Sequence, residues 1–292
     1  MKIAFAGTGL MGSRMASRLL QAGKPLTVYN KTDSKTELLV SQGAKKASSF
    51  SELAEDADIL FTMLSDPLAV ETSAIGEEGF LPALKEGAFW IDCSTVNPSF
   101  SQKMAAASEE MGVRFMDAPV TGSTLGAQNG ELTFFIGGAL NDLETVRPLL
   151  EIMGKRFIHA GAAGMGSAMK LINNHLGGTI MAAFSEALAF GESMGFSRKV
   201  LLDTFLDSTV APPYLSTKRE KFEQAKFDDT EFPLELMKKD LHLAGITGYE
   251  HNAALPMASA AKEIYALAIK AGLGTEDYAA VYKLLSGLSK RD

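Results

Sequence analysis

A single cysteine, Cys93, stands among the 292 residues. An intrachain disulfide is therefore impossible, and zinc motifs built on paired cysteines are excluded. Histidine is scarce as well: His159, His175, His242 and His251 show no metal-ligand spacing, so no metal is expected. Positive charge is in deficit, with 28 Lys and Arg against 35 Asp and Glu and a formal charge of −7. Lys31 and Lys35 lie near each other, but two lysines do not make a track for a polyanion. Nucleic acid is not an expected partner. Long apolar runs are missing too. The longest charge-free stretch in mid-chain, Leu171 to Ser185, has 15 residues and is broken by Asn173 and Asn174. A membrane span needs roughly 18 or more apolar residues, so no membrane partner is expected. Lys2 is followed by a short apolar run that enters a glycine motif directly, without the h-region and cleavage site of a signal peptide. The default expectation is cytoplasmic.

What remains is the profile expected of a soluble globular protein: 46% hydrophobic and 22% charged residues, at a length that suits two domains. In the first half, Ile3–Gly7, Thr27–Asn30, Ile59–Leu64, Ala88–Asp92, Arg114–Val120 and Leu132–Gly137 read as strands. Between them Leu10–Ala22, Lys35–Gln42, Phe50–Glu55 and Pro98–Gly112 have helical spacing. Asn97 before Pro98 is a helix start signal. Alternation of this kind predicts an α/β, doubly wound Rossmann-type domain, a parallel sheet with helices on both faces. After about Gly161 the β-branched clusters thin out. Ser167 to about Gly195 reads as one helix, near 43 Å long at 1.5 Å per residue. The expected plan is a nucleotide-binding domain over 1–162 and an all-α domain over 163–292, joined by the long helix through Gly161-Ala-Ala-Gly164-Met-Gly166.

Gly7-Thr8-Gly9-Leu10-Met11-Gly12 fits G-x-G-x-x-G, directly after a predicted strand and at the start of a predicted helix. The first glycine makes the tight turn, the second lets backbone approach a pyrophosphate, and the third lets helix and strand pack closely. The helix N-terminus offers N–H groups to the anion. A dinucleotide is the expected cofactor. An NAD site would carry Asp or Glu at the end of the second strand. Here the strand ends Tyr29-Asn30-Lys31-Thr32, with no carboxylate before Asp33. Asn30 and Thr32 can donate hydrogen bonds, and Lys31 and Lys35 bring positive charge, so NADP is expected over NAD. A solvated turn that happens to hold lysines is the alternative.

The long helix places Lys170, Asn173, Asn174 and Gly177 on one face, beside Leu171, Ile172, Leu176, Ile180 and Met181. An amine and two amides in such surroundings need partners. A lysine at a domain interface with its head in water is one reading. The chemical reading makes Lys170 a proton donor or acceptor. Its reference pKa is about 10.4, and desolvation or a nearby cation lowers it. Such an amine can protonate a carbonyl oxygen while hydride reaches the carbon. Gly177 and Gly178 weaken a helix unless something must approach closely.

Several segments agree on one family. Gly7–Gly12, Thr62-Met-Leu-Ser-Asp-Pro67, Asp92-Cys-Ser-Thr-Val96, Asp117-Ala-Pro-Val-Thr-Gly-Ser123, Gly164-Met-Gly-Ser-Ala-Met-Lys-Leu-Ile-Asn-Asn174, Lys239-Asp-Leu241 and Gly272-Leu-Gly-Thr-Glu-Asp277 span the chain in order. The sequence resembles the β-hydroxyacid dehydrogenases, and among them the glyoxylate/succinic semialdehyde reductase branch. The resemblance implies a catalytic lysine at Lys170 with Asn174 in support. It implies cofactor contacts at Thr95 and Lys239, and at Met63 and Leu64 on the adenosine side. The family's Ser-Gly-Gly run for the substrate carboxylate reads Thr121-Gly122-Ser123 here, which removes one glycine. Phe232 and Asp240 match positions that shape the pocket, although Phe232 serves equally well as plain core. Lys170 and Lys239 would make the site locally positive in an acidic protein.

What the resemblance implies is an NADPH-dependent reductase of small aldehyde-acids, with a small carboxylate as its partner and a homodimer or homotetramer as its assembly. The segment Gly126-Ala127, Gly130 and Leu132-Thr133 looks more like the hydroxyisobutyrate branch, so an oxidising 3-hydroxyacid dehydrogenase is the alternative. Imine reductases share the architecture but usually lack the lysine. A non-catalytic NADPH-binding module would not need Lys170, Asn174 and Lys239 together.

Overall fold

Ile3–Ala6 (β1) is apolar and buried at every position, as a central parallel strand must be. Leu26–Tyr29 (β2), the short Lys45–Lys46 (β3), Ile59–Thr62 (β4), Phe89–Asp92 (β5) and Arg114–Asp117 (β6) join it in parallel. Val120–Thr121 (β7), Leu132–Gly137 (β8) and Gly154–Gly161 (β9) complete the sheet. Its order is β3-β2-β1-β4-β5-β6-β8-β7, with β9 on β8. The computed structural model describes residues 1–288.

Both faces are covered, as period-2 alternation requires. Ile3, Phe5, Val28, Phe61 and Ile91 face one cluster, which Leu10–Gln21 (α1) and Glu37–Ser41 (α2) help to close. Ala4, Ala6, Leu60 and Trp90 face the other, with Phe50–Ala54 (α3), Pro67–Ile75 (α4) and Pro98–Glu110 (α5). Thr124–Asn129 (α6) and Leu140–Met153 (α7) return to the first face. Because β1 lies between β2 and β4, the chain reverses its winding there. That crevice, outside the strands' carboxyl ends, is where such sheets bind ligands.

Three expectations need correction. The sheet is mostly, not wholly, parallel: β8 runs antiparallel to β6 and β7. The expected strand Arg114–Val120 is two strands, because Pro119 has no N–H to give to a ladder. Two strands were not expected at all: β3, which is two lysines, and β9, whose Lys155, Arg156 and His159 are exposed.

The long helix Met165–Ser193 (α8) has 29 residues. The two compact units are Met1–Leu171 and the chain from Ile172 onward, so the division falls inside α8 and later than Ala162. The cause lies in the first unit, where Asp117 accepts hydrogen bonds from the backbone N–H of Gly164 and Ser167.

In the second unit α8 is followed by Arg198–Leu206 (α9), Arg219–Gln224 (α10), Leu234–Glu250 (α11), Pro256–Lys270 (α12) and Val281–Leu285 (α13). The core is aromatic: Phe222 meets Phe184, Phe227 and Tyr282 edge-on at 5.3–5.6 Å. Gly178 is where Met237 presses on α8, since a Cβ there would lie 2.5 Å from the Met237 sulfur. Beside it the hydroxyls of Tyr214 and Tyr265 donate to the carbonyls of Gly177 and Gly178. The expected close approach is made at Gly178 by Met237, whereas a Cβ on Gly177 would meet nothing within 4 Å. Lys218 is buried between Asp277 at 2.8 Å and Glu231 at 2.9 Å.

Candidate active site

The three glycines of the loop divide the work as their spacing requires. Gly7 has φ +90°, and a Cβ there would lie 2.3 Å from the Met63 carbonyl oxygen. A Cβ on Gly12 would lie 1.9 Å from the Gly7 oxygen. A Cβ on Gly9 would meet nothing within 4 Å. The first and third are glycine for the fold, and the second leaves open room at the start of α1. No side chain caps that helix and its first turn holds no acid, so its N–H groups suit an anion. Thr8 is buried with its hydroxyl oxygen unpartnered beside them. The loop fits a dinucleotide pyrophosphate, with Leu10 and Met11 opening the helix.

Asn30 ties the loop to the strand end. Its Oδ1 accepts from the Thr8 N–H at 3.0 Å, and its Nδ2 donates to the Thr32 carbonyl at 3.0 Å. Its amide therefore shapes the turn. Lys31, Thr32 and Lys35 are exposed around it. The nearest carboxylate, Asp33, is paired with Lys46 at 2.9 Å. Lys46 sits on β3, one strand away, and sequence reasoning missed it.

A buried polar chain runs along the carboxyl ends of the central strands. Trp90 Nε1 donates to Thr62 Oγ1 at 2.9 Å, and Thr62 Oγ1 donates to Asp92 Oδ1 at 2.7 Å. Asp92 Oδ1 also accepts the Ser94 N–H, and Ser94 Oγ accepts the Leu64 N–H. This network holds Met63 and Leu64 against the glycine loop and sets the start of the Ser94–Thr95 turn. Cys93 lies beneath it, fully buried, and burial pushes its thiol pKa up. It is no nucleophile at neutral pH.

Thr121 ends β7, and Gly122 has φ +138°, a conformation for glycine. Ser123 was expected to narrow the carboxylate loop. Instead its Oγ caps α6 by accepting the Gly126 N–H at 3.0 Å. Its hydroxyl serves the helix, as serine does at this position.

Lys170 is partly buried on α8, one turn before Asn174. Asn173, expected on the same face, is exposed, and its Nδ2 donates to Asn174 Oδ1 at 3.1 Å. Asn174 is buried, and its Nδ2 donates to Asp240 Oδ2 at 2.6 Å. Asp240 is itself 1% exposed, with Lys239 Nζ 2.9 Å from Oδ1. That pair lacks hydrogen-bond alignment. Two readings change here. Asp240 fixes the direction of the Asn174 amide, and the Lys239 charge is balanced by its neighbour. Phe232 packs at the edge of the second unit's core, its ring 5.7 Å from Tyr278. The structure thus groups the glycine loop, strand-end turn, Met63 and Leu64 in the first unit. It groups Asn174, Lys239 and Asp240 in the second.

Comparison with known proteins agrees with this geometry. The family described as the NAD binding domain of 6-phosphogluconate dehydrogenase matches residues 2–172. That described as NAD-binding of NADP-dependent 3-hydroxyisobutyrate dehydrogenase matches residues 164–285. The chain belongs to the β-hydroxyacid dehydrogenase family. It is accordingly an NAD(P)-dependent oxidoreductase. Among its relatives is the glyoxylate/succinic semialdehyde reductase 2, chloroplastic, of Arabidopsis thaliana, 35% identical over 99% of this chain and 81% of that one. Another is the NAD-dependent L-serine dehydrogenase of Pseudomonas aeruginosa, 36% identical over 97% of both chains. A solved 3-hydroxyisobutyrate dehydrogenase of Mycobacterium tuberculosis with L-serine superimposes with a TM-score of 0.86 at 30% identity, covering 97% of this chain and 98% of that one. Among the described residues no helix is long and apolar enough to cross a membrane.

Proposed function

We propose that the protein is an NADPH-dependent reductase of small aldehyde-acids, such as glyoxylate or succinic semialdehyde, acting in the cytoplasm. The observation that carries the cofactor choice is the strand-end turn. Lys31 and Lys35 are exposed there, and Asp33, the one acid of the turn, is held by Lys46. A 2′-phosphate meets cations and no uncompensated carboxylate. The description of the second matching family as NADP-dependent supports the same choice. The Arabidopsis reductase supports the substrate class.

When bound, the nicotinamide cofactor supplies the hydride. Gly9 and the first turn of α1 would receive the pyrophosphate, Met63 and Leu64 would line the adenosine side, and Thr95 would contact the nicotinamide. Thr121 and the backbone N–H groups of Gly122 and Ser123 hold the substrate carboxylate. Lys170 gives its proton to the carbonyl oxygen, which leaves as the alcohol, and Asn174 orients the reacting group. Asp240 holds Asn174, and Lys239 keeps Asp240 compensated.

A second reading has support of its own: the serine dehydrogenase relative is NAD-dependent, and Gly126–Thr133 has the look of the hydroxyisobutyrate branch. In that direction Lys170, as the neutral amine, accepts the alcohol proton. Turnover of glyoxylate, succinic semialdehyde and 3-hydroxyisobutyrate with both cofactors separates the two. The reductase reading expects the aldehyde-acids with NADPH to lead by about tenfold or more in kcat/KM, close to 1.4 kcal/mol. A strong preference for NAD with 3-hydroxyisobutyrate overturns it. Lys170→Ala should keep NADPH binding and lose about 10²–10⁴ in kcat. Near-normal turnover refutes its role.

Assembly belongs to the same proposal. Along α8, Met169, Ile172, Leu176 and Phe190 are exposed at helical spacing, with Met194 exposed just past its end. Apolar stripes of this size are usually covered, and a second copy of the chain is the proposed cover.

A further inference from the structure

Asp117 ends β6, and none of it reaches solvent. A carboxylate in such a place must have its oxygens satisfied. One short segment does this: Oδ1 accepts the Gly164 N–H at 2.8 Å and Oδ2 accepts the Ser167 N–H at 2.7 Å. Both donors belong to the start of α8, where backbone N–H groups have no partner within the helix. Negative charge at that end also suits the helix dipole.

The packing around this contact leaves the helix start no slack. A Cβ on Gly137 would lie 2.4 Å from Asp117 Oδ1. A Cβ on Gly166 would lie 2.5 Å from the Phe135 oxygen and 2.8 Å from the Gly137 nitrogen. Gly164 has φ +93°, so the chain can enter the helix at a sharp angle. Ser167 Oγ meets Ser101 Oγ at 2.9 Å, which ties the same turn to α5. At Gly166 the backbone of the first turn of α8 lies directly against the backbone of β6 and β8.

Lys170 comes three residues after Ser167. At 1.5 Å per residue its Cα lies about 4.5 Å further along the axis. Fraying or tilting of the first turn therefore moves the amine directly. We propose that Asp117 is a positioning residue: its carboxylate fixes the first turn of α8 and, through it, the place and direction of the Lys170 amine. This rests on the proton-transfer role given to Lys170 above. Asp117 acts through the helix, and its loss should be read in kcat, since a displacement near 1 Å costs a reaction about 10²-fold.

The test compares Asp117→Asn, Asp117→Ala, Gly166→Ala, Ser167→Ala and Lys170→Ala by NADPH affinity, kcat, KM and thermal melting. Asparagine keeps one acceptor and turns an N–H donor against the second backbone N–H. Alanine removes both acceptors. Gly166→Ala wedges the same turn while Asp117 stays. We expect NADPH affinity and KM within about threefold of the parent, with kcat down about tenfold in Asp117→Asn and about 10²-fold in Asp117→Ala and Gly166→Ala. Ser167→Ala keeps its backbone N–H contact but loses the hydroxyl's contacts to Asp117 and Ser101, so its kcat should fall less than in Asp117→Ala. A folded Asp117→Asn with kcat within twofold of the parent overturns the inference, as does a loss confined to melting temperature. If Asp117→Ala does not fold, Asp117→Asn and Gly166→Ala decide. Lys170→Ala separates the two failures. Should it keep its turnover, the role of Lys170 falls and this inference with it; should it be inactive while Asp117→Asn works normally, only the positioning claim falls.

Discussion

Gly9 and Gly12 stand three residues apart and fail differently when changed. An alanine at Gly9 meets no protein atom within 4 Å, so Gly9→Ala should leave the melting temperature within about 2 °C while weakening NADPH binding tenfold or more. An alanine at Gly12 would sit 1.9 Å from the Gly7 oxygen, and Gly12→Ala should destabilise the fold by several kcal/mol. Thermal melting and cofactor titration on both variants check the pair. Asp117 gives a pH prediction at the same scale. Burial raises its pKa from 3.8 to about 6, against the pull of the backbone N–H groups of Gly164 and Ser167. A folded-state pKa above the unfolded value means that the contribution to stability is complete below about pH 4 and is lost as pH rises through 6. The shift corresponds to about 3 kcal/mol. Denaturant unfolding of the parent relative to Asp117→Asn should therefore favour the parent more at pH 4.5 than at pH 7.5. A difference independent of pH would contradict this. The glycines were legible in the sequence because their reasons are local. Asp117 was not, since its partners lie 47 and 50 residues away. Lys46 was equally hidden, because only the sheet brings it to Asp33.

Elements with a strong period were legible, and those whose stability comes from elsewhere were not. The long helix was visible because its buried face recurs from Asn174 through Gly178, Met181, Ser185 and Leu188. Helix α7 was hidden by Pro148, a residue that ordinarily ends a helix. Helix α4 carried its own signal, Asp66 before Pro67, with the Asp66 carboxylate accepting the Ala69 N–H at 2.9 Å. In the second unit the stretch before α11 is fastened by charge. Asp277 accepts from Lys218, from the Glu231 N–H and from the Ala279 N–H, and is fully buried. Lys218→Met leaves that carboxylate uncompensated and should cost about 3–5 kcal/mol in denaturant unfolding. A loss below 1 kcal/mol would mean that the pair contributes little to the fold.

For the whole molecule, two units of different texture follow from composition along the chain. The first is a sheet because its buried strands are continuous apolar runs. The second is helical around aromatic side chains. The exposed stripe on α8 leads to a prediction at this scale: under the proposal that a second copy covers it, the parent should sediment as an oligomer and Ile172→Glu with Leu176→Glu should shift it toward monomer in sedimentation velocity. An unchanged sedimentation coefficient would remove α8 from the contact. The cofactor half of the chemistry was readable from sequence because a glycine loop and a strand end lie close in the chain. The pairing of Asn174 with Asp240 was not, being formed by residues 66 apart on two helices. The central claim concerns the Lys170 amine, and a crystal structure with NADP+ and a small hydroxy acid bound measures it most directly. The account predicts Lys170 Nζ within about 3 Å of the substrate hydroxyl oxygen, on the nicotinamide side. An Nζ turned into solvent, away from the nicotinamide ring and the substrate, would contradict it.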